Sequence, residues 1–106
     1  MNIALRPILN HLKQNLVDIY GDCLIHLTLF GSQARGDAEP GSDIDVLVVL
    51  RSSVNPGKEI KRTGRVVADL SLQYDVVISC LFMSETHYET RNSSLLRNIR
   101  QEGVLL

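Results

Sequence analysis

From the start of the chain, apolar residues recur every three or four positions. Leu5, Ile8, Leu9, Leu12 and Leu16 form one stripe while Asn10, Lys13, Gln14 and Asp18 fall outside it, so the spacing predicts an amphipathic helix over residues 2–20. Gly21 follows as its stop, because glycine readily takes the left-handed conformation that ends helices. The pattern then changes. Cys23 to Phe30 is a short apolar run with β-branched and aromatic members, bounded by turn formers, which predicts a buried strand with His26 packed on a sheet face. Gly31-Ser32 comes next, then the short segment Gln33-Ala34-Arg35, and residues 36–42 are dense enough in turn formers to read as a loop.

Asp43 to Leu50 is predicted as the second strand. Its run Val46-Leu47-Val48-Val49-Leu50 is apolar on both faces, which belongs in the middle of a covered sheet. Asn55-Pro56 opens a helix, with Asn as N-cap and Pro at the first helical position, running to about Leu70 and turning Ile60, Val67 and Ala68 inward. Gly64 weakens that helix by about 1 kcal/mol relative to Ala. Gln73 to Cys80 reads as a third strand centred on Val76, Val77 and Ile78. Ser84 is an N-cap for a helix through about Arg91, and Ser93 or Ser94 restarts it, turning Leu95, Leu96 and Ile99 inward until Gly103 stops it before a short apolar tail. The order α, β, short α, β, α, β, α predicts an α/β fold, a small sheet covered by helices. No repeat, low-complexity stretch or linker interrupts it, so residues 1–106 read as one domain.

Composition narrows the function classes. Apolar residues make up 44% of the 106 and charged ones 22%, a globular balance that excludes intrinsic disorder. Lys and Arg total 11 against 12 Asp and Glu, a net charge of −1 that lacks the basic footprint of a dedicated nucleic-acid binder. The cluster Arg51, Lys58, Lys61, Arg62 and Arg65 reads as a solvated face. No apolar run approaches the roughly 20 residues of a membrane span, and Arg6, Asn10, His11 and Lys13 leave no signal-peptide stretch near the N-terminus. Cys23 and Cys80 stand far apart and read as reduced thiols of a cytoplasmic protein, while His11, His26 and His87 are too scattered for a zinc site.

The chemistry concentrates in a few acidic residues. Asp43 and Asp45 are two apart on a predicted strand, so they project from one face, roughly 6.6 Å apart along the chain. Asp75 opens the third predicted strand. Carboxylates beside Ile44, Val46, Val76 and Val77 require a counter-charge, and Mg²⁺ suits them because it takes a few carboxylates, keeps waters and binds substrate phosphates. The plainer alternative makes Asp43 a turn cap and pairs Asp45 with an arginine. Upstream, Gly31-Ser32 follows a strand and opens a short helical segment, where backbone N–H groups and a hydroxyl can hold phosphate.

Taken together, Gly31-Ser32-Gln33-Ala34-Arg35-Gly36-Asp37 and Ser42-Asp43-Ile44-Asp45 resemble the signature of the minimal nucleotidyltransferases of the DNA polymerase beta superfamily: Gly-Ser, ten residues, Asp-x-Asp. Tyr74-Asp75-Val76-Val77 is similar to the segment that carries the family's third carboxylate, and Arg97 to Val104 resembles the end of these small domains. The resemblance implies a mixed sheet of the polymerase-beta-like nucleotidyltransferase fold. It implies transfer of a nucleoside monophosphate, usually AMP from ATP, to a hydroxyl with loss of pyrophosphate. It further implies that Asp43, Asp45 and Asp75 hold two Mg²⁺ ions, that Asp75 helps deprotonate the acceptor, and that Gly31 and Ser32 grip the outer phosphates. Arg35 either neutralises triphosphate charge or forms a salt bridge to Asp37 or Asp43. Members of the family often serve as antitoxins to a helical HEPN-type RNase toxin and place AMP on a toxin tyrosine. Neutralisation of the partner by occlusion alone is the competing expectation, and transfer to a small molecule is a third.

Overall fold

A computed structural model describes residues 3–106. The first helix, α1, is Leu5–Tyr20, and residue 2, where the predicted helix began, lies outside the described residues. Its buried stripe is the predicted one with Tyr20 added. A single 3₁₀ turn, Gly21–Cys23, leads into β1, Leu24–Phe30. One helical turn, α2 (Ser32–Arg35), and a loop then connect to β2, Ile44–Leu50. In β2 the residues from Val46 to Leu50 are at most 2% exposed, as their unbroken apolar run requires.

Asn55 caps α3, its side chain accepting from the Lys58 N–H at 3.3 Å with Pro56 at the first position. The helix runs Pro56–Tyr74, continuous through Gly64 and four residues past the predicted end. Its inward face also differs from the periodicity. Ile60 is 56% exposed and Ala68 is exposed, whereas Glu59, Thr63 and Leu70 are buried. The reason is a polar pair: the Tyr20 hydroxyl donates to Glu59 Oε1 at 2.7 Å, so a carboxylate takes an inward position otherwise assigned to an apolar residue.

The third strand is displaced as well. β3 is Ile78–Ser84 rather than Gln73–Cys80, because it pairs in parallel along the whole of β2, from Ile44 opposite Ile78 to Leu50 opposite Ser84. Asp75 therefore does not open a strand. It ends α3 in the left-handed conformation, φ 54°, and its N–H bonds Ser71 O. Ser84 and Ser93 cap α4 (Glu85–Thr90) and α5 (Ser94–Glu102) through bonds from the His87 and Leu96 N–H groups. Leu95, expected inward, is 46% exposed, while Leu96 and Ile99 are buried. The apolar tail forms β4, Val104–Leu105, against β1.

The four strands lie in the order β3-β2-β1-β4, with β2–β3 parallel and the β1 pairings antiparallel, so the small sheet is mixed as expected. Alternation along the strands divides the core into two layers. Leu27, Leu29, Ile44, Val46, Val48, Ile78 and Phe82 pack with α1 and α3 on one face. Leu47, Val49 and Met83 pack with Leu96 and Ile99 on the other. His26 is a packed residue of this second face, its ring 5.7 Å from that of Tyr88.

Candidate active site

The register of β1 against β2 brings the glycine-serine segment to the acidic pair. Phe30, the last residue of β1, lies opposite Asp45, so Gly31 begins its turn directly beside that carboxylate. Gly31 has φ 74° and ψ −159°, and a Cβ at this position would lie 2.6 Å from Asp45 Oδ2. Both facts require glycine: the backbone conformation disfavours a side chain and the carboxylate occupies its space. The Gly31 carbonyl then accepts from the Ala34 and Arg35 N–H groups at 3.1 Å, winding α2 immediately after the strand. Ser32 is half-buried at the start of that turn.

A residue that the sequence reading passed over ties the two halves together. Gln33 Nε2 donates to Ser42 O at 3.2 Å, anchoring the end of the 36–42 loop to α2 just before Asp43. Gln33 lies inside the Gly-Ser to Asp-x-Asp interval, but nothing in that spacing marks a side chain that bridges it.

Asp43 is exposed just ahead of β2 and Asp45 is half-buried on it, either side of the fully buried Ile44. The two carboxylates therefore share the face opposite Ile44 and Val46. Among the described residues no basic side chain forms an ion pair with either, which leaves the arginine-paired alternative without a partner. Burial, and then repulsion from Asp43, push the Asp45 carboxyl above the ordinary carboxylate range. A half-buried carboxylate, a second one beside it and no protein cation form a donor set of hard oxygens that fits a divalent cation such as Mg²⁺.

Asp75 is not brought into this set. It is exposed at the end of α3, and among the described residues no three His, Cys, Asp or Glu side chains come together as a metal-holding group. The β3 residue beside Asp45 is instead Ser79. Arg35 is occupied at the protein surface: Nε pairs with Asp37 at 3.2 Å and Nη1 with Glu102 at 3.4 Å, linking α2 to α5. Those carboxylates, Asp37 first, hold its guanidinium charged. Tyr74 packs against His11 with a 3.3 Å contact from its hydroxyl to Nδ1. A cavity of about 460 Å³ lined by Tyr20, Cys23, Lys58 and Glu59 opens at the Leu50 end of β2, away from the acidic pair.

Comparison with known proteins bears on this geometry. Residues 9–106 match the sequence profile of the Nucleotidyltransferase domain family. Two proteins of Methanocaldococcus jannaschii curated as "Putative protein adenylyltransferase" are similar over most of the chain. One, MJ0141, is 34% identical over 97 residues, 92% of this chain and 93% of that protein. The other, MJ0604, is 35% identical over 104 residues, 97% of this chain and 94% of that protein. Among solved structures, a toxin-antitoxin crystallised with AMP-PNP superposes with a TM-score of 0.64 at 18% identity, covering 91% of this chain and 69% of that one. The toxin-antitoxin MntA-HepT superposes with a TM-score of 0.54 at 17% identity, covering 92% of this chain and 68% of that one. At these identities the structural likeness concerns the fold.

Proposed function

The chain belongs to the nucleotidyltransferase domain family, and from that premise we propose that it transfers AMP from ATP to a hydroxyl of a partner protein. The observation that carries the reading is the Asp43–Asp45 pair, which pairs with no basic side chain among the described residues and whose Asp45 lies against the Gly31 turn. Residues 1–106 act as one nucleotidyltransferase domain.

In this reading Asp43 and Asp45 would hold Mg²⁺, up to two ions. The metal supplies charge neutralisation at the attacking and leaving oxygens of an in-line displacement. Gly31 leaves the Asp45 carboxylate the space a methyl group would take and offers its own backbone to phosphate oxygens, and the Ser32 hydroxyl adds a directed hydrogen bond. Gln33 keeps the loop ahead of Asp43 in place, so that both carboxylates point to the same region. Arg35 closes the far side of α2 onto Glu102 and lends positive charge to the edge of the phosphate site. The bond formed joins the α-phosphorus to the acceptor oxygen, the bond from the α-phosphorus to the oxygen bridging to the β-phosphate breaks, and pyrophosphate leaves while the acceptor's proton passes to solvent.

The acceptor we infer is a tyrosine of a HEPN-type toxin that this chain neutralises as an antitoxin. Structural neighbours named as toxin-antitoxin complexes and relatives named as protein adenylyltransferases support that choice. The cytoplasm is the compartment that suits two free thiols, Cys23 and Cys80, and no helix among the described residues is long and apolar enough to cross a membrane.

The test is transfer of label from α-³²P-ATP with MgCl₂ onto the protein encoded beside this chain, with the double variant Asp43→Asn, Asp45→Asn in parallel. The proposal expects label on the partner that disappears in the variant. Equal, tight binding of the partner by both forms with no label on it would replace transfer by occlusion.

A further inference from the structure

The sheet places a hydroxyl where a third ligand to a cation would stand. In the parallel ladder Asp45 is the direct neighbour of Ser79, as Ile44 is of Ile78 and Val46 of Cys80. Ile78 and Cys80 belong to the core under α1 and α3, so alternation turns Ser79 to the other face, the one that carries Asp43 and Asp45. Ser79 is exposed, and among the described residues its hydroxyl has no hydrogen-bond partner. Adjacent strands run about 4.8 Å apart. Mg²⁺ bound at about 2.1 Å from a carboxylate oxygen keeps several waters, and a water on the ion reaches a neighbouring hydroxyl through one further hydrogen bond of about 2.7 Å. Asp45 thus has the Gly31 backbone on one side and Ser79 on the other.

We propose that Ser79 completes the cation site as a positioning residue: two carboxylates bind the divalent ion directly, and the Ser79 hydroxyl orients a water held on it. This rests on the assignment of Asp43 and Asp45 as the ion's ligands. The site consequently holds its cation loosely before ATP arrives and draws the remaining oxygen ligands from the triphosphate.

Mn²⁺ binding to the intact protein without nucleotide tests this, read from the electron paramagnetic resonance signal of free Mn²⁺ during titration. Ser79→Asp puts a carboxylate at the third position and is expected to tighten Mn²⁺ binding at least tenfold. Ser79→Ala is expected to weaken it by about three- to tenfold, toward the range seen when outer partners of metal ligands are removed, and Ser79→Thr to restore it. Circular dichroism confirms that each variant is folded, which an exposed strand position favours. Asp43→Asn, Asp45→Asn separates the two possible failures. If that variant loses Mn²⁺ binding while Ser79→Asp and Ser79→Ala bind like the parent, Ser79 has no role and the acidic pair keeps its own. If the double variant binds Mn²⁺ as the parent does, the acidic-pair assignment falls and the Ser79 proposal falls with it.

Discussion

Gly31 and Asp45 occupy each other's space: the carboxylate oxygen Oδ2 sits 2.6 Å from where a Cβ of residue 31 would be. The antiparallel register that sets Phe30 opposite Asp45 creates this contact, so the Gly31 turn and the acidic pair are two sides of one strand pairing. Gly31→Ala forces the Asp45 side chain to move and strains a backbone at φ 74°. The expected outcome is about 1–3 kcal/mol of destabilisation. Nucleotidyl transfer should fall about 100-fold or more, because small displacements of a catalytic group are costly. Denaturant titration and steady-state transfer check both, and an alanine variant with parental activity would show that Asp45 need not sit against this turn.

An ionised Asp45 carries a cost to the metal-free fold. Its carboxyl is raised by burial first and by Asp43 second. An acid whose pKa is higher folded than unfolded adds stability that is fully present below its unfolded value, near 4, and lost as pH rises through the folded value. At neutral pH the ionised group is therefore unfavourable to the metal-free fold, an effect softened by solvent screening at a half-exposed site. Asp45→Asn should raise the Tm of the metal-free protein at pH 7.5, with the gain fading below about pH 4, while transfer activity is lost. Thermal melts across pH give the answer, and a lower Tm at pH 7.5 would mean that Asp45 has a favourable partner in the metal-free state.

At the other end of β2, Tyr20 and Glu59 form the buried polar link between α1 and α3. Glu59 is 7% exposed, accepts from the Tyr20 hydroxyl at 2.7 Å and pairs with Arg62 Nε at 3.4 Å. Tyr20→Phe removes one donor and leaves the carboxylate under-bonded, at about 2 kcal/mol. The Tm should drop by about 8–16 °C. Pairing Tyr20→Phe with Glu59→Leu should cost less than the sum of the single changes, because the orphaned carboxylate is removed as well. Additive effects in urea titrations would show that the two side chains act independently.

That same link explains much of what the chain's pattern leaves unreadable. Local signals carry over directly: the α1 stripe, Asn55-Pro56 at the start of α3 and the serine caps of α4 and α5 depend only on nearby residues. Glu59 is different, because its burial depends on Tyr20, 39 residues away. The placement of β3 is different for a similar reason. Val76-Val77-Ile78 and Leu81-Phe82-Met83 have equal strand character, and only the seven-rung ladder with β2 selects the later segment. Once β3 shifts, Asp75 moves from a strand to a helix end and Ser79 takes the place beside Asp45. The Gly-Ser and Asp-x-Asp elements were legible because each lies within one short stretch, whereas which residue stands beside Asp45 on β3 depends on strand register.

The two cysteines should differ sharply in reactivity. Hydrogen bonding to Ser52, which leads the causes, lowers the Cys23 thiol below its ordinary value, and Cys23 Sγ lies 3.6 Å from Ser52 Oγ. Burial pushes Cys80 up to about 11. At pH 8 only about one Cys80 in a thousand is then thiolate, the form that attacks a disulfide reagent. Reaction with 5,5′-dithiobis(2-nitrobenzoate) should therefore show one fast and one slow thiol. Cys23→Ser should remove the fast phase, and Ser52→Ala should slow it by raising the thiol's pKa. Between pH 8 and pH 9.5 the Cys80 rate should climb about 30-fold while the Cys23 rate rises less. Equal rates for both thiols in the folded protein would mean that Cys80 opens to solvent often enough to erase the difference in burial.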